Sequence, residues 1–116
     1  MQIKDLLNKG LIHTSSSSWG FLVLFVKKLE GKWRMCINYH GLNAVTKKNT
    51  YPLPRIQDCL DRIGSTKQIS KFDLLSRFYQ LRVAEESIDK TAFNTQQGKF
   101  KFLVMPMGLT NAPATF

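Results

Sequence analysis

Asp73 is the residue whose position most constrains chemistry. It lies near the end of an apolar run, residues 68–75, that reads as a buried strand, with Phe72 and Leu74 on one face and Asp73 sharing the other with Lys71 and Leu75. A carboxylate there is costly unless it is paired, hydrogen-bonded or bound to a cation. Two roles are open from the residues alone: a capping or salt-bridged aspartate, or a cation ligand. The next acids, Glu85 and Glu86, fall in a turn after the following strand and read as solvated. Lys27-Lys28 and Trp33-Arg34 flank a turn, and taken singly they are cations on an ordinary strand pair. Phe78, five residues after Asp73, reads alone as core packing, and Met105-Pro106-Met107-Gly108 as an apolar turn.

The elements that must position these residues can be read from periodicity. Ile3, Leu6 and Leu7 recur at helical spacing, with Gly10 as a stop. Ser15 to Ser18 read as a flexible connector on composition. Residues 21–28 are dense in Val, Leu and Phe, as in a mostly buried strand, and residues 32–39 return after Glu30-Gly31 to make a hairpin. Residues 49–54 are extended because of their prolines, and Pro54 suits the first turn of a helix carrying Ile56, Cys59, Leu60 and Ile63 on one stripe, with Gly64 beyond it. Strands are expected over 68–75 and 80–84, and a second hairpin pairs 91–95 with 99–104. In its last strand Phe100, Phe102 and Val104 face one way, Lys99 and Lys101 the other. Asn111-Ala112-Pro113 starts a further helix. The mixture is an α+β fold.

A chain of 116 residues is about one small domain, and 43% hydrophobic with 22% charged residues makes it globular rather than disordered. No apolar run approaches the roughly 20 residues that span a bilayer, and Lys4 and Asp5 beside Leu6-Leu7 do not read as a signal peptide, so the expectation is an intracellular chain without a membrane partner. Cys36 and Cys59 lack metal-ligand spacing and are expected as reduced, buried thiols. Seventeen Lys and Arg against eight Asp and Glu leave a formal charge of +9, which makes nucleic acid the first partner to consider, ahead of an acidic protein.

Lys71-Phe72-Asp73-Leu74-Leu75-Ser76, followed about thirty residues on by Met105-Pro106-Met107-Gly108-Leu109-Thr110-Asn111-Ala112-Pro113-Ala114-Thr115-Phe116, resembles the palm of a reverse transcriptase from a gypsy-like long-terminal-repeat retrotransposon. The resemblance runs back nearly to Met1. It implies a partial reverse transcriptase domain over 1–116, with about 1–67 mainly fingers and 68–116 the start of the palm and an adjoining fingers segment. It implies RNA-directed DNA synthesis from deoxyribonucleoside triphosphates on an RNA or DNA template-primer, with two Mg²⁺ ions in the complete enzyme. Asp73 would then be a catalytic metal ligand, and the Leu74 carbonyl would complete one shell. Lys28 and Arg34 match the positions that grip the triphosphate. Phe78 matches the ring that excludes a 2′-hydroxyl, while Met107 and Gly108 match the loop supporting the nascent base pair. The family's two remaining catalytic aspartates lie in a later segment, so the expectation is a fragment inactive by itself, whose partners include the rest of the polymerase or polyprotein. Its rivals are a non-catalytic basic nucleic-acid-binding module and a translated remnant of a retroelement.

Several positions depart from the family pattern. Ser76-Arg77-Phe78-Tyr79-Gln80 stands where Ser-Gly-Tyr-His-Gln is usual, and a long cation in place of glycine would crowd the nucleotide or force a different turn. Asn38-Tyr39-His40 replaces Asp-Tyr-Arg, exchanging an expected ion pair for two neutral side chains, and Met107 stands where phenylalanine is commoner.

Overall fold

Phe93 and Phe102 are almost fully buried, with ring centroids 5.2 Å apart, and the elements gather around them. The computed structural model describes residues 2–115. Met1 and Phe116, the first residue of the chain and the last of the C-terminal motif, lie outside the described residues. The elements are α1 (Gln2–Asn8), β1 (Ile12–Thr14), β2 (Phe21–Lys27), β3 (Trp33–Ile37), α2 (His40–Val45), α3 (Ile56–Ile63), two 3₁₀ helices (Arg77–Gln80 and Glu85–Thr91), β4 (Phe93–Thr95), β5 (Gly98–Phe102) and α4 (Ala112–Thr115). The five strands form one sheet in the order β1-β5-β4-β2-β3. All neighbours are antiparallel except β2 and β4, which run parallel through Phe21↔Phe93 and Leu22↔Asn94.

The two expected hairpins form. Lys28 N–H donates to the Lys32 carbonyl at 2.7 Å to close the first, and Phe100 and Phe102 of β5 turn into the core as the alternation requires. Tyr39, just after β3, is the central polar element of this core. Its ring lies edge-on to Phe21 at 5.3 Å, and its hydroxyl donates to the Thr91 carbonyl at 2.7 Å. Burial, with a smaller contribution from Tyr79, holds its phenol far above the usual tyrosine range. Burial likewise raises Tyr79, whose ring stacks on Phe102 at 6.3 Å.

The structure corrects several expectations. Residues 68–75 form no strand: they are exposed and irregular, with Leu75 already in a turn, because a strand needs a hydrogen-bonded neighbour and none of the described residues supplies one. Residues 80–84 contribute only a single bridge, Arg82 to Val104. Most of β2 is exposed rather than buried, since of its side chains only Phe21 and Val23 pack against the core. Helix α3 begins at Ile56, with Pro54 before it, and none of its side chains is buried, so Cys59 is exposed as well. A radius of gyration of 17.0 Å, against about 13 Å expected for a compact chain of this length, reflects these uncovered segments. The serine run is no loose connector. Ser15 N–H donates to the Lys99 carbonyl at 2.9 Å, the Ser17 hydroxyl donates to the Asp89 carbonyl at 2.8 Å, and the Lys99 ammonium donates to the Ser17 carbonyl at 2.7 Å.

Tyr39→Phe removes a buried donor and is expected to cost about 1–2 kcal/mol, measured by urea unfolding. An unchanged midpoint would contradict the role given to the hydroxyl. Because the folded-state values of Tyr39 and Tyr79 are raised, the stability tied to their neutral forms is fully present below about pH 10 and falls as pH rises beyond it. A urea midpoint unchanged between pH 8.5 and pH 11 would contradict that linkage.

Candidate nucleotide site

The hairpin register places its cations. Val26 pairs with Arg34 and Lys27 with Trp33, so Val26, Lys28 and Arg34 share one face of the β2–β3 ribbon while Lys27 and Trp33 take the other. Lys28 and Arg34 line the same cavity of about 490 Å³ at the hairpin tip, together with Glu30. All three are exposed, and Val26, Lys27 and Leu29 complete the lining of this open cavity. Arg34 is also framed by a contact that sequence reading missed. The Gln2 amide donates to the Trp33 carbonyl at 2.9 Å and accepts from Met35 N–H at 3.2 Å, pairing with edge strand β3 on either side of Arg34.

The second group lies after residue 73. Ser76 adopts the left-handed conformation, φ 48°, and opens the 3₁₀ turn Arg77–Gln80. Ser76, Arg77, Phe78, Tyr79 and Met107 line a separate cavity of about 160 Å³. Phe78 and Met107, chosen from sequence segments far apart, therefore meet. Phe78 is half-buried, a ring presented at a cavity wall rather than lost in the core.

Gly108 has φ +97°, which a side chain would strain, and a Cβ there would lie 3.6 Å from the Ile37 carbonyl oxygen and 3.9 Å from the Tyr39 ring. The loop is held by two asparagines. Asn43 of α2 donates to the Gly108 carbonyl at 2.9 Å and accepts from Thr110 N–H at 2.9 Å. Asn111 reciprocates across the same junction, donating to the Lys47 carbonyl at 2.9 Å and accepting from Asn49 N–H at 2.8 Å. A side-chain amide that offers both a donor and an acceptor to two backbone groups imitates a strand neighbour, so each asparagine fixes a loop that no ladder reaches. Asn43 carried no sequence signal beyond its place on a short helix. Asn38, where an acid is usual, accepts from His40 N–H at 3.2 Å and so helps to start α2.

Asp73 and Leu74 are exposed and line neither cavity. Among the described residues no three His, Cys, Asp or Glu side chains come together to hold a metal. One carboxylate and one carbonyl do not make a site for two Mg²⁺ ions, which need clustered carboxylates at fixed separation. The residues present do not by themselves fit that group. Glu85 and Glu86 are exposed in the first turn of the second 3₁₀ helix, as expected.

Comparison with known proteins bears on the whole arrangement. A sequence profile of the family described as "Reverse transcriptase (RNA-dependent DNA polymerase)" matches residues 26–116. The chain is 39% identical over 120 residues to the "Retrovirus-related Pol polyprotein from transposon 297" of Drosophila melanogaster, covering 99% of this chain and 11% of that protein. It is 49% identical over 88 residues to an "RNA-directed DNA polymerase homolog" of Oenothera berteroana, covering 76% of this chain and 62% of the relative. A solved foamy viral protease-reverse transcriptase in complex with double-stranded DNA superimposes with a TM-score of 0.84 at 25% identity, over 98% of this chain and 20% of that one. The chain thus spans about a tenth of the length of the transposon polyproteins it matches.

Asn43→Ala should free the Gly108–Thr110 loop, raising hydrogen exchange at the Thr110 amide by about tenfold or more, since the lost bonds are worth about 1–2 kcal/mol. Unchanged protection of Thr110 would contradict the clamp.

Proposed function

We propose, because this chain belongs to the reverse transcriptase (RNA-dependent DNA polymerase) family, that it forms the nucleotide-gripping part of a retrotransposon polymerase. On this reading residues 1 to about 67 are mainly the fingers, and 68–116 are the start of the palm and an adjoining fingers segment. The whole protein synthesises DNA on an RNA or DNA template-primer from deoxyribonucleoside triphosphates. The observation that carries this reading is that Lys28 and Arg34 line one open cavity at the tip of a two-stranded ribbon. A guanidinium fork and an ammonium point charge so placed are matched to the oxygens of a triphosphate.

Phe78 then acts by shape. A ring at the wall of the Phe78–Met107 cavity excludes a sugar bearing a 2′-hydroxyl and needs no polar contact to do so. Met107 and Gly108 support the base pair, and the close approach of Gly108 to the β3 end lets the loop lie against the fingers. Asp73 is the carboxylate, and Leu74 the carbonyl, that this chain offers to a Mg²⁺ site whose other ligands come from other residues of the polymerase. The exposed cations Lys27, Lys28, Lys32 and Arg34 are the groups available to nucleic-acid phosphates, whereas the Lys99 ammonium is engaged by the Ser17 carbonyl and the Lys101 ammonium by the Asp89 carboxylate at 3.2 Å.

The test is a polymerase in which residues 1–116 replace the corresponding segment of an active relative. Asp73→Asn is expected to reduce primer extension by more than about a hundredfold, equivalent to several kcal/mol of lost transition-state stabilisation. A loss within about tenfold would contradict the ligand assignment. In the same polymerase Phe78→Ala should admit ribonucleotides, and unchanged sugar discrimination would contradict the steric role.

A further inference from the structure

We propose that Gln2, at the start of α1, is a positioning residue for Arg34, fixing the backbone from which that guanidinium reaches the triphosphate. The inference rests on the nucleotide-site reading above and deepens it. Gln2 contacts no ligand itself and acts through the peptide units on either side of Arg34.

The Trp33 carbonyl that accepts from the Gln2 amide at 2.9 Å belongs to the peptide unit before Arg34, and the Met35 N–H that donates to Gln2 at 3.2 Å belongs to the unit after it. Each unit is planar, so fixing the direction of one group in each sets both backbone dihedrals of Arg34, and with them the direction of its Cα–Cβ bond. Trp33 and Met35 turn these groups to the open side of edge strand β3, and alternation turns the Arg34 N–H and carbonyl inward to its ladder partner Val26. Arg34 is therefore held from both sides although it is exposed.

The amide is carried by a rooted element. Ile3, next to Gln2, and Leu6 are buried in the core, and α1 leads into β1, the sheet edge opposite β3. Gln2 thus ties the β3 edge to an element anchored at the other side of the sheet. The hairpin has need of such a stay, since Leu24, Phe25, Val26 and Trp33 are all exposed and leave little packing to hold its outer part. A cation whose backbone is already fixed loses less freedom on binding, which strengthens its grip on phosphate.

The experiment compares the 116-residue chain with its Gln2→Met, Gln2→Ala, Arg34→Ala and Gln2→Met/Arg34→Ala variants in hydrogen exchange at the Met35 amide and in equilibrium affinity at low salt for dTTP and for thymidine. Methionine keeps the length and helix propensity of glutamine without its amide, and either Gln2 variant decides the matter if the other fails to fold. Exchange at Met35 is expected to quicken by about tenfold or more. Affinity for dTTP should fall by about three- to tenfold in both Gln2 variants, with no change for thymidine and no further loss when Gln2→Met is added to Arg34→Ala. A merely structural glutamine would weaken both ligands, or add its effect to that of Arg34→Ala, and either result would overturn the positioning role. So would unchanged Met35 exchange or unchanged dTTP affinity in the Gln2 variants while Arg34→Ala weakens dTTP binding, and the nucleotide site would then stand. Absence of dTTP binding by the parent chain, or indifference of that binding to Arg34→Ala, would overturn the positioning role and the nucleotide-site reading together.

Discussion

The buried hydroxyl of Tyr39 is the interaction on which the arrangement depends. It joins the end of the first hairpin to the Thr91 carbonyl, and Thr91 in turn donates through its own hydroxyl to the Ile88 carbonyl at 2.6 Å and accepts from Phe102 N–H at 2.9 Å. The Tyr39 carbonyl accepts from Asn43 N–H at 2.8 Å at the start of α2, while its ring faces Phe21 on one side and the Gly108 backbone on another. One residue therefore connects, through its side chain and its carbonyl, the hairpin that carries Lys28 and Arg34, the helix that carries Asn43 and the loop that carries Met107. A buried hydroxyl left unpaired would cost about 1–3 kcal/mol, so the geometry that satisfies Tyr39 is strongly preferred.

Much of this was legible in the sequence where a short-range pattern sufficed. The alternation of Phe100, Phe102 and Val104 fixed the buried face of β5, and Glu30-Gly31 between two apolar runs marked the turn that brings Lys28 and Arg34 together. Resemblance located Phe78 and Met107, and the structure brings them to one cavity. The clamps escaped notice because they are side-chain-to-backbone bonds spanning more than 60 residues, as from Asn43 to Gly108, and a lone asparagine carries no period. Gln2 escaped for the same reason, and the serine strap read as a linker because composition does not reveal long-range partners.

The strand expected over 68–75 failed for a different reason. Local sequence specifies an apolar, β-prone segment, but a strand exists only with a neighbour, and Phe72 and Leu75 stay 87% exposed among the described residues. Ile56, Leu60 and Ile63 on α3 follow the same logic: their spacing encodes a face to be covered without naming what covers it. The transposon polyproteins that this chain matches are many times longer than it is.

The central claim is that the hairpin tip and the Phe78–Met107 cavity are surfaces of one nucleotide site. The most direct measurement is photocrosslinking of the 116-residue chain with a deoxynucleoside triphosphate carrying one photoreactive group on its base and another on its γ-phosphate, with the labelled peptides mapped by mass spectrometry. The account predicts that the γ-phosphate group labels peptides containing residues 26–34, that the base group labels peptides containing residues 76–79 or 105–108, and that unlabelled dTTP competes for both. Labelling confined to the exposed face of α3, or spread evenly over the lysines without competition, would contradict it.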